Sequence, residues 1–156
     1  MSEIVKNIEI YTDGGCSGNP GPGGYGIVLL YNGLRKEISG GYKQTTNNRM
    51  ELLAVIRALE ALKEPCKITL YSDSKYVIDS ITKGWVYKWQ KNNWMRNKTD
   101  PALNVDLFKL LLPLLKAHEV SFVWVKGHAS NIENERCDTL ARNFIQSGEL
   151  LEENFR

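Results

Sequence analysis

Two acidic residues of the 156-residue chain stand where strand ends are predicted. Asp13 ends an alternating apolar segment directly before Gly14-Gly15, and Asp73 ends a second apolar segment directly before a predicted helix. Functional sites in open α/β sheets gather at the carboxyl ends of strands, so these two carboxylates are predicted to meet. The structural alternatives, a helix N-cap for Asp73 and a turn for Asp13, stay open on the pattern of either residue alone.

Glu51 and Asp138 each head the apolar side of a predicted helix. Apolar residues follow Glu51 at i+4, i+7 and i+11, and they follow Asp138 at i+3 and i+7. Because an unpaired charge is costly on a core-facing side, a divalent cation is predicted to neutralise such a cluster. Oxygen ligands without cysteine favour Mg²⁺ or Mn²⁺ over Zn²⁺.

The two histidines of the chain are interpreted differently. His128 lies in a predicted loop just ahead of the helix that carries Asp138. A mobile histidine beside a metal-carboxylate site suits proton transfer near neutral pH, and a plain surface histidine is the alternative. His118 is interpreted as a favourable charge at the C-terminal end of a helix.

The elements that must position these groups follow from periodicity and from turn signals. Strands are predicted over residues 8–13, 25–31, 34–42, 67–72 and 120–125, and helices over 46–63, 74–81, 104–116 and 132–146. Residues 14–24 are predicted to form a Gly/Pro-rich loop, and Asn32-Gly33 a hairpin turn. This order predicts an α/β fold with one mixed sheet, its first three strands antiparallel, and helices on its faces.

One motif in this region is excluded as a functional signal. Residues 21–26 match the dinucleotide fingerprint G-x-G-x-x-G in letters. That fingerprint opens a helix after a strand, whereas here it opens an apolar strand and contains a proline.

Composition bounds the class of protein. Hydrophobic residues make up 42%, charged residues 24% and the net charge is +2, values that exclude a disordered chain, a collagen-like chain and a disulfide scaffold. The length favours one domain. No stretch approaches the about 18 apolar residues that a membrane helix needs. Three scattered cysteines indicate a reducing compartment.

A basic segment rich in aromatic residues spans residues 80–99. It contains no acidic residue, has a local charge of +5 and holds three of the four tryptophans, Trp85, Trp89 and Trp94. Basic side chains neutralise phosphates, and aromatic rings stack on bases or pack against sugars. The alternative is a satellite hydrophobic cluster edged by lysines, and both descriptions can hold together. Contact with nucleic acid is therefore predicted here.

Four motifs, in this order, strongly resemble bacterial type 1 ribonuclease H, ribonuclease HI. They are YTDGGCSGNPG from Tyr11, TTNNRMELLA from Thr45, YSDSKYV from Tyr71 and WVKGHASNIENERCDTLA from Trp124, and the similarity runs from about residue 8 to residue 146. The resemblance implies a ribonuclease H-like fold with a five-stranded mixed sheet and helices on both faces. It also implies a single catalytic domain over residues 1–156, with a basic protrusion at about 82–101 and no separate hybrid-binding domain.

The same resemblance implies an activity and a cofactor. The expected enzyme is an endonuclease that hydrolyses the RNA strand of RNA/DNA hybrids with little sequence specificity, leaving 3′-hydroxyl and 5′-phosphate ends. The resemblance makes Asp13, Glu51, Asp73 and Asp138 the ligands of two Mg²⁺ ions, with Mn²⁺ as a substitute. It makes His128 the catalytic histidine associated with proton transfer and product release. A cytoplasmic monomer without a membrane partner is expected.

Substrate contacts are also implied by the resemblance. Asn19, Thr46 and Asn104 match positions that hold DNA phosphates, Cys16, Asn47 and Asn48 match minor-groove contacts, Asn134 matches an asparagine close to the site, and Trp85, Lys88 and Lys91 lie in the protrusion that grips the DNA strand. Two positions depart from the family pattern. Gln44 occupies a place often held by a basic residue, and Lys75 occupies one where some relatives carry glutamine.

Three other classes of protein share some of these features. Transposases, integrases and Holliday-junction resolvases use similar acids, but they act on DNA alone and usually carry extra domains. A non-catalytic hybrid-binding module would not need four carboxylates aimed at one place. A metal-free structural protein explains the apolar stripes but not the charges that head them. Mg²⁺-dependent cleavage of hybrids that spares duplex DNA separates these classes.

Overall fold

The computed structural model describes residues 5–126 and 131–152 of the chain. Within these residues the elements are β1 (Lys6–Cys16), β2 (Gly21–Tyr31), β3 (Leu34–Thr45), α1 (Asn47–Glu60), β4 (Cys66–Ser72), α2 (Lys75–Thr82), α3 (Trp85–Lys91), α4 (Val105–Ala117), β5 (Glu119–Trp124) and α5 (Ile132–Ser147). The strands form one sheet in the order β3-β2-β1-β4-β5. Pairing is antiparallel between β1, β2 and β3, and parallel from β1 to β4 to β5. The predicted five-stranded mixed sheet is therefore confirmed.

Helices cover both faces of the sheet, and β2 is therefore buried on both of its sides. Ile27 and Leu29 belong to the apolar core that includes α1. Gly24 and Gly26 lie on the opposite face of the strand. A β-carbon at Gly26 would overlap the carbonyl group of Cys137 on α5. The backbone of α5 therefore rests directly on the backbone of β2. A strand buried on both sides shows the near-continuous apolar pattern that the sequence has here.

The predicted loop over residues 14–24 is wrong at both ends. β1 continues to Cys16 and β2 begins at Gly21, with Gly14 paired to Tyr25 across the hairpin. Glycine has a low strand propensity, so the sequence pattern favoured a loop; in this hairpin the glycines allow other backbone to approach closely. Asp13 is consequently an interior residue of β1 and not a turn former.

Helix α1 begins as predicted and ends early. Thr46 is its N-cap, and the Oγ1 of that residue accepts the N–H of Arg49 at 3.3 Å. The predicted helix reached residue 63, whereas α1 ends at Glu60. The next residues tighten into an i→i+3 bond from the N–H of Leu62 to the carbonyl of Leu59, a common way for a helix to finish.

The segment after β4 places Asp73 outside the regular elements. β4 ends at Ser72, the end of the strand predicted over residues 67–72, so Asp73 follows the strand and does not belong to it. Ser74 is the N-cap of α2, and its Oγ accepts the N–H of Val77 at 3.2 Å. The alternative in which Asp73 caps the helix is therefore wrong, and its carboxylate is not used for capping.

A short helix that the periodicity did not predict, α3, lies in the basic segment. It begins after Gly84, whose φ of 77° is in the left-handed region that glycine adopts readily. Val86 is buried, and the half-buried ring of Trp89 lies edge-on to Phe108 with 5.8 Å between the ring centroids. Seven residues anchored by so few apolar side chains are too short to show a helical period.

His118 does not have its predicted role. It ends α4, but its Nδ1 accepts the N–H of Cys66 at 3.0 Å. Burial lowers the pKa of His118. An accepting Nδ1 carries no proton, so a neutral imidazole joins the end of α4 to the start of β4, and the predicted favourable charge is wrong.

The last two helices lie within one residue of their predicted bounds. α4 spans Val105–Ala117 with Pro113 inside it. α5 ends at Ser147 and is followed by Gly148 with a φ of 75°, a common helix C-terminus. Among the helices of the described ranges, none has the length and apolar character needed to span a membrane.

Candidate active site

Three carboxylates from three different elements meet at one edge of the sheet. Asp13 on β1, Glu51 on α1 and Asp73 after β4 each contribute one oxygen atom, and these atoms lie within 4.8 Å of one another. Helix α1 approaches β1 closely because Gly14 has no side chain. A β-carbon at Gly14 would lie only 2.5 Å from the carbonyl carbon of Met50. This backbone contact brings the glutamate of α1 to the aspartate of β1.

Burial and mutual repulsion dominate the electrostatics of this cluster. Asp13 is 8% exposed. Burial, and then the charges of Asp73 and Asp138, raise the pKa of Asp13 to about 8. Burial, and then the charges of Asp13 and Asp73, raise the pKa of Glu51 well above its ordinary value. Without a cation, the cluster therefore holds protons near neutral pH.

One oxygen atom of Glu51 shows that the cluster fits a cation. Oε1 of Glu51 is buried and has no hydrogen-bond partner among the described residues. A buried acceptor without a partner is unfavourable unless another group satisfies it. The three atoms that converge here are carboxylate oxygens, the ligands that Mg²⁺ and Mn²⁺ prefer. The residues present therefore fit a divalent metal.

Asp138 lies beside the three-carboxylate cluster rather than within it. Its Oδ2 accepts the Nε–H of Arg142, one helical turn later on α5, at 3.0 Å. The charge of Asp138 still raises the pKa of Asp13, so the two groups interact electrostatically. The structure thus brings three of the four predicted acids together and pairs the fourth with an arginine.

The remaining predicted residues near the carboxylates are a histidine and an asparagine. His128 lies outside the described residues. Asn134 is 4% exposed, and its Oδ1 is buried with no partner in the described part of the chain. Its N–H donates to Oδ1 of Asn131, the N-cap of α5, at 2.9 Å. Asn134 therefore holds an unsatisfied acceptor one turn before the carboxylate of α5.

A series of hydrogen bonds connects the end of β1, the following turn and the start of α1. The N–H of Cys16 donates to Oδ1 of Asn47 at 2.8 Å, and the N–H of Asn47 donates to Oδ1 of Asn19 at 3.0 Å. Asn47 and Asn48 are exposed in the first turn of α1, directly after the N-cap Thr46. These five predicted substrate contacts therefore form one surface.

An arginine that was not predicted from the sequence lies between two predicted phosphate contacts. Arg49 donates its backbone N–H to Thr46, and its guanidinium reaches Oδ1 of Asn104 at 3.3 Å. The guanidinium also donates to both carboxylate oxygens of Asp106, at 3.0 and 2.6 Å. The amide of Asn104 donates to the hydroxyl of Tyr76 at 3.0 Å. The positive charge of an arginine in the first turn of a helix is unfavourable, because it opposes the helix dipole. This unfavourable position is the feature of the sequence that could have indicated a role for Arg49.

The basic segment combines packed rings with exposed cations. Lys88 and Lys91 are exposed on α3. Trp85 is 38% exposed, and the ammonium group of Lys83 lies 5.6 Å from the centre of its ring. Trp94 is half-buried and packs against the core. The segment is therefore both a packed aromatic cluster and a cationic surface, the two descriptions that its sequence allows.

The chain is similar to known proteins over nearly its whole length. The family model described as RNase H matches residues 5–146. The Ribonuclease H of Desulforamulus reducens is 64% identical over 137 residues, which cover 88% of this chain and 86% of the relative. The Ribonuclease HI of Synechocystis sp. is 51% identical over 157 residues, covering 99% of this chain and 98% of the relative. A solved structure described as LC11-RNase H1 in complex with RNA/DNA hybrid has a TM-score of 0.69 and 27% identity, covering 90% of this chain and 97% of that one.

Proposed function

Because the chain belongs to the ribonuclease H family, with bacterial ribonuclease HI among its relatives, we propose that its carboxylate cluster hydrolyses the RNA strand of RNA/DNA hybrids. The expected products carry 3′-hydroxyl and 5′-phosphate ends. The observation that carries the proposal is the convergence of Asp13, Glu51 and Asp73 within 4.8 Å at the edge of the sheet. A solved relative that binds an RNA/DNA hybrid supports the substrate class.

Two Mg²⁺ ions, with Mn²⁺ as a substitute, are the proposed cofactors. Asp13, Glu51 and Asp73 would hold them, and Asp138 is the proposed fourth ligand, although one of its oxygens is bound by Arg142. When bound, such ions supply a water of lowered pKa and neutralise charge on the leaving oxygen. The buried Oε1 of Glu51, which lacks a hydrogen-bond partner within residues 5–126 and 131–152, supports this assignment.

The chain's own residues are proposed to select the hybrid. Exposed amides of Asn47 and Asn48 would contact the minor groove, where the 2′-hydroxyls of the RNA strand are displayed. Asn19 and Thr46 would hold a phosphate of the DNA strand, and Asn104, whose Oδ1 accepts from the guanidinium of Arg49, would contact another. Contacts to sugars and phosphates carry little sequence information, so cleavage is expected at many sequences.

The other predicted contacts complete this proposal. Cys16 would contact the minor groove beside Asn47, whose side-chain amide the N–H of Cys16 orients. Trp85 would pack against a DNA sugar. His128 is proposed to transfer a proton. Asn134 is proposed to accept a hydrogen bond near the carboxylates through its Oδ1, which has no partner among the described residues.

Cleavage of one labelled sequence as RNA/DNA, RNA/RNA and DNA/DNA duplexes tests the proposed function. We expect the RNA strand of the hybrid alone to be cut with Mg²⁺, and nothing to be cut with EDTA. An exonuclease that requires a 5′-phosphate should degrade the downstream fragments. Tight hybrid binding without cutting would favour a binding module, and cutting of DNA/DNA would favour the integrase and resolvase class.

Replacing Lys88 and Lys91 with glutamine is expected to raise KM for the hybrid with little change in kcat. For each phosphate that the variant no longer neutralises, the slope of log KM against log salt concentration should fall by about one. Steady-state cleavage at several salt concentrations measures both effects. The matched control is the double replacement of Lys36 and Lys63, exposed lysines outside the basic segment. Equal KM values for the two double variants at physiological salt would remove α3 from the interface.

We further propose that the chain acts as a single domain and a monomer in the cytoplasm. The three clustered carboxylates all come from one chain, which supports a site that needs no second copy. Cys66 and Cys137 are buried thiols, the form that a reducing compartment maintains. Sedimentation of the protein at assay concentration tests the proposed monomer.

A further inference from the structure

Trp124, the last residue of β5, binds the backbone that carries one of the clustered carboxylates. Its indole Nε1–H donates to the backbone carbonyl of Asp73 at 3.2 Å. The N–H of the next residue, Val125, donates to the carbonyl of Ser72 at 2.9 Å. Two successive carbonyl groups at the end of β4 are therefore bound from the end of β5.

The indole bond is formed where the sheet stops. Ser72 and Trp124 are the last paired residues of β4 and β5, so Asp73 lies beyond the ladder. Helix α2 begins only at Lys75, after its N-cap Ser74. The peptide group of Asp73 is thus held by neither a strand nor a helix pattern. A side-chain donor supplies the partner that its carbonyl needs.

Packing does not explain the position of Trp124. The side chain is 45% exposed, whereas a tryptophan that serves a core is largely buried. The ammonium group of Lys75 lies 4.7 Å from the centre of the indole ring, a cation–π distance that fixes the ring over the start of α2. The ring is exposed and held in one orientation, and its N–H donates to a single carbonyl. This geometry suits a side chain that orients the backbone to which it is bonded.

We propose that Trp124 is a positioning residue for Asp73: its indole N–H fixes the peptide group from which the Asp73 carboxylate reaches the cluster. The inference rests on the proposed function of that cluster as a metal site. Groups that orient metal ligands contribute to metal affinity, because a mobile ligand must be ordered when the metal binds.

Two variants separate the indole N–H from the ring. Trp124→Phe keeps an aromatic ring and removes the donor. Trp124→His keeps a donor, because the imidazole Nε2–H occupies the same ring position, counted from Cβ, as the indole Nε1–H. Measurements at about pH 8 keep an exposed imidazole neutral. Val123→Ala is the matched control for a disturbance of β5, since Val123 is 39% exposed on the same strand.

The first measurement is a calorimetric titration of Mn²⁺ into the protein without substrate. Trp124→Phe is expected to weaken Mn²⁺ binding about fivefold, the effect of one neutral hydrogen bond. Trp124→His should recover most of that affinity, and Val123→Ala should match the wild type. In hybrid cleavage, Trp124→Phe should lower kcat by a similar factor. The KM for the hybrid should stay at its wild-type value.

Two results would overturn the proposal. One is equal Mn²⁺ affinity in the wild type and Trp124→Phe. The other is a loss in Trp124→His as large as in Trp124→Phe, which would assign the effect to the ring and its contact with Lys75. A wild type that binds Mn²⁺ without cutting hybrid would contradict the proposed function, and the comparison of Mn²⁺ affinities would still decide the role of Trp124.

Discussion

Asp13→Asn is expected to lower hybrid cleavage by at least about a thousandfold, because removing a metal ligand takes away several kcal/mol of charge stabilisation in the transition state. Asp13 is the most deeply placed aspartate of the cluster and lies beside both Glu51 and Asp73. Hybrid binding should persist, since the substitution removes a negative charge that repels phosphate. Single-turnover cleavage with Mg²⁺ and equilibrium binding without it measure the two effects. Substantial Mg²⁺-dependent cleavage by the variant would remove Asp13 from the metal site.

The same substitution is expected to stabilise the protein in the absence of metal. The pKa of Asp13 rises from 3.8 to about 8 in the folded state, chiefly through burial. A carboxyl with a raised folded-state pKa binds more protons when folded, so its contribution to the free energy of unfolding falls as pH rises from about 4 to about 8. Asparagine does not ionise. The variant should therefore melt above the wild type at pH 8 in EDTA, and the gap should narrow toward pH 4.

Melting curves at the two pH values check this expectation. Asp100→Asn, which makes the same chemical change at an exposed position, is the matched control. If the two variants shift the melting temperature alike at pH 8, the buried charge of Asp13 does not destabilise the fold.

Gly14→Ala is expected to weaken both Mn²⁺ binding and cleavage about a hundredfold, because a displacement of about 1 Å at a reacting centre has effects of that size. The new β-carbon would lie 2.5 Å from the carbonyl carbon of Met50 and 2.7 Å from the backbone nitrogen of Glu51. These are backbone atoms of α1, which cannot rotate away, so the helix must move and carry Glu51 with it. The melting temperature should fall as well, since overpacking costs about 1–3 kcal/mol.

Gly15→Ala is the control for this change. It adds the same methyl group one residue later on β1, where the nearest atom is Oδ1 of Asn47 at an ordinary 3.8 Å. Calorimetry with Mn²⁺ and thermal unfolding compare the two variants. Equal Mn²⁺ affinity and equal melting temperatures would show that α1 does not depend on close contact with β1 for its position.

The features predictable from the sequence are those set by local pattern. Alternation, the Asn32-Gly33 turn and the apolar periodicity after Thr46 predicted the strand order at the start of the sheet and the helix that carries Glu51. Family motifs then indicated which acids should meet. Three of the four lie together, because the pairing of β1 with β4 and the packing of α1 on β1 bring their segments of the chain to one place.

The features that could not be predicted depend on contacts between distant residues. The glycines after Asp13 form strand only because β2 pairs with them. The protonation of His118 depends on the N–H of Cys66, 52 residues earlier in the chain. The pairing of Asp138 with Arg142 is one choice among rotamers, which helical spacing permits but does not require.

The contact of α5 with the glycines of β2 bears on how this protein tolerates change over evolution. At Gly24 and Gly26 the helix lies against main chain, so the distance from Asp138 to the sheet is set by the thickness of two backbones. Main-chain thickness is the same whatever the neighbouring side chains are. Apolar residues elsewhere in the core can therefore change in size and shape without moving the carboxylate of Asp138. Gly24 and Gly26 themselves cannot be replaced by a larger residue without moving α5.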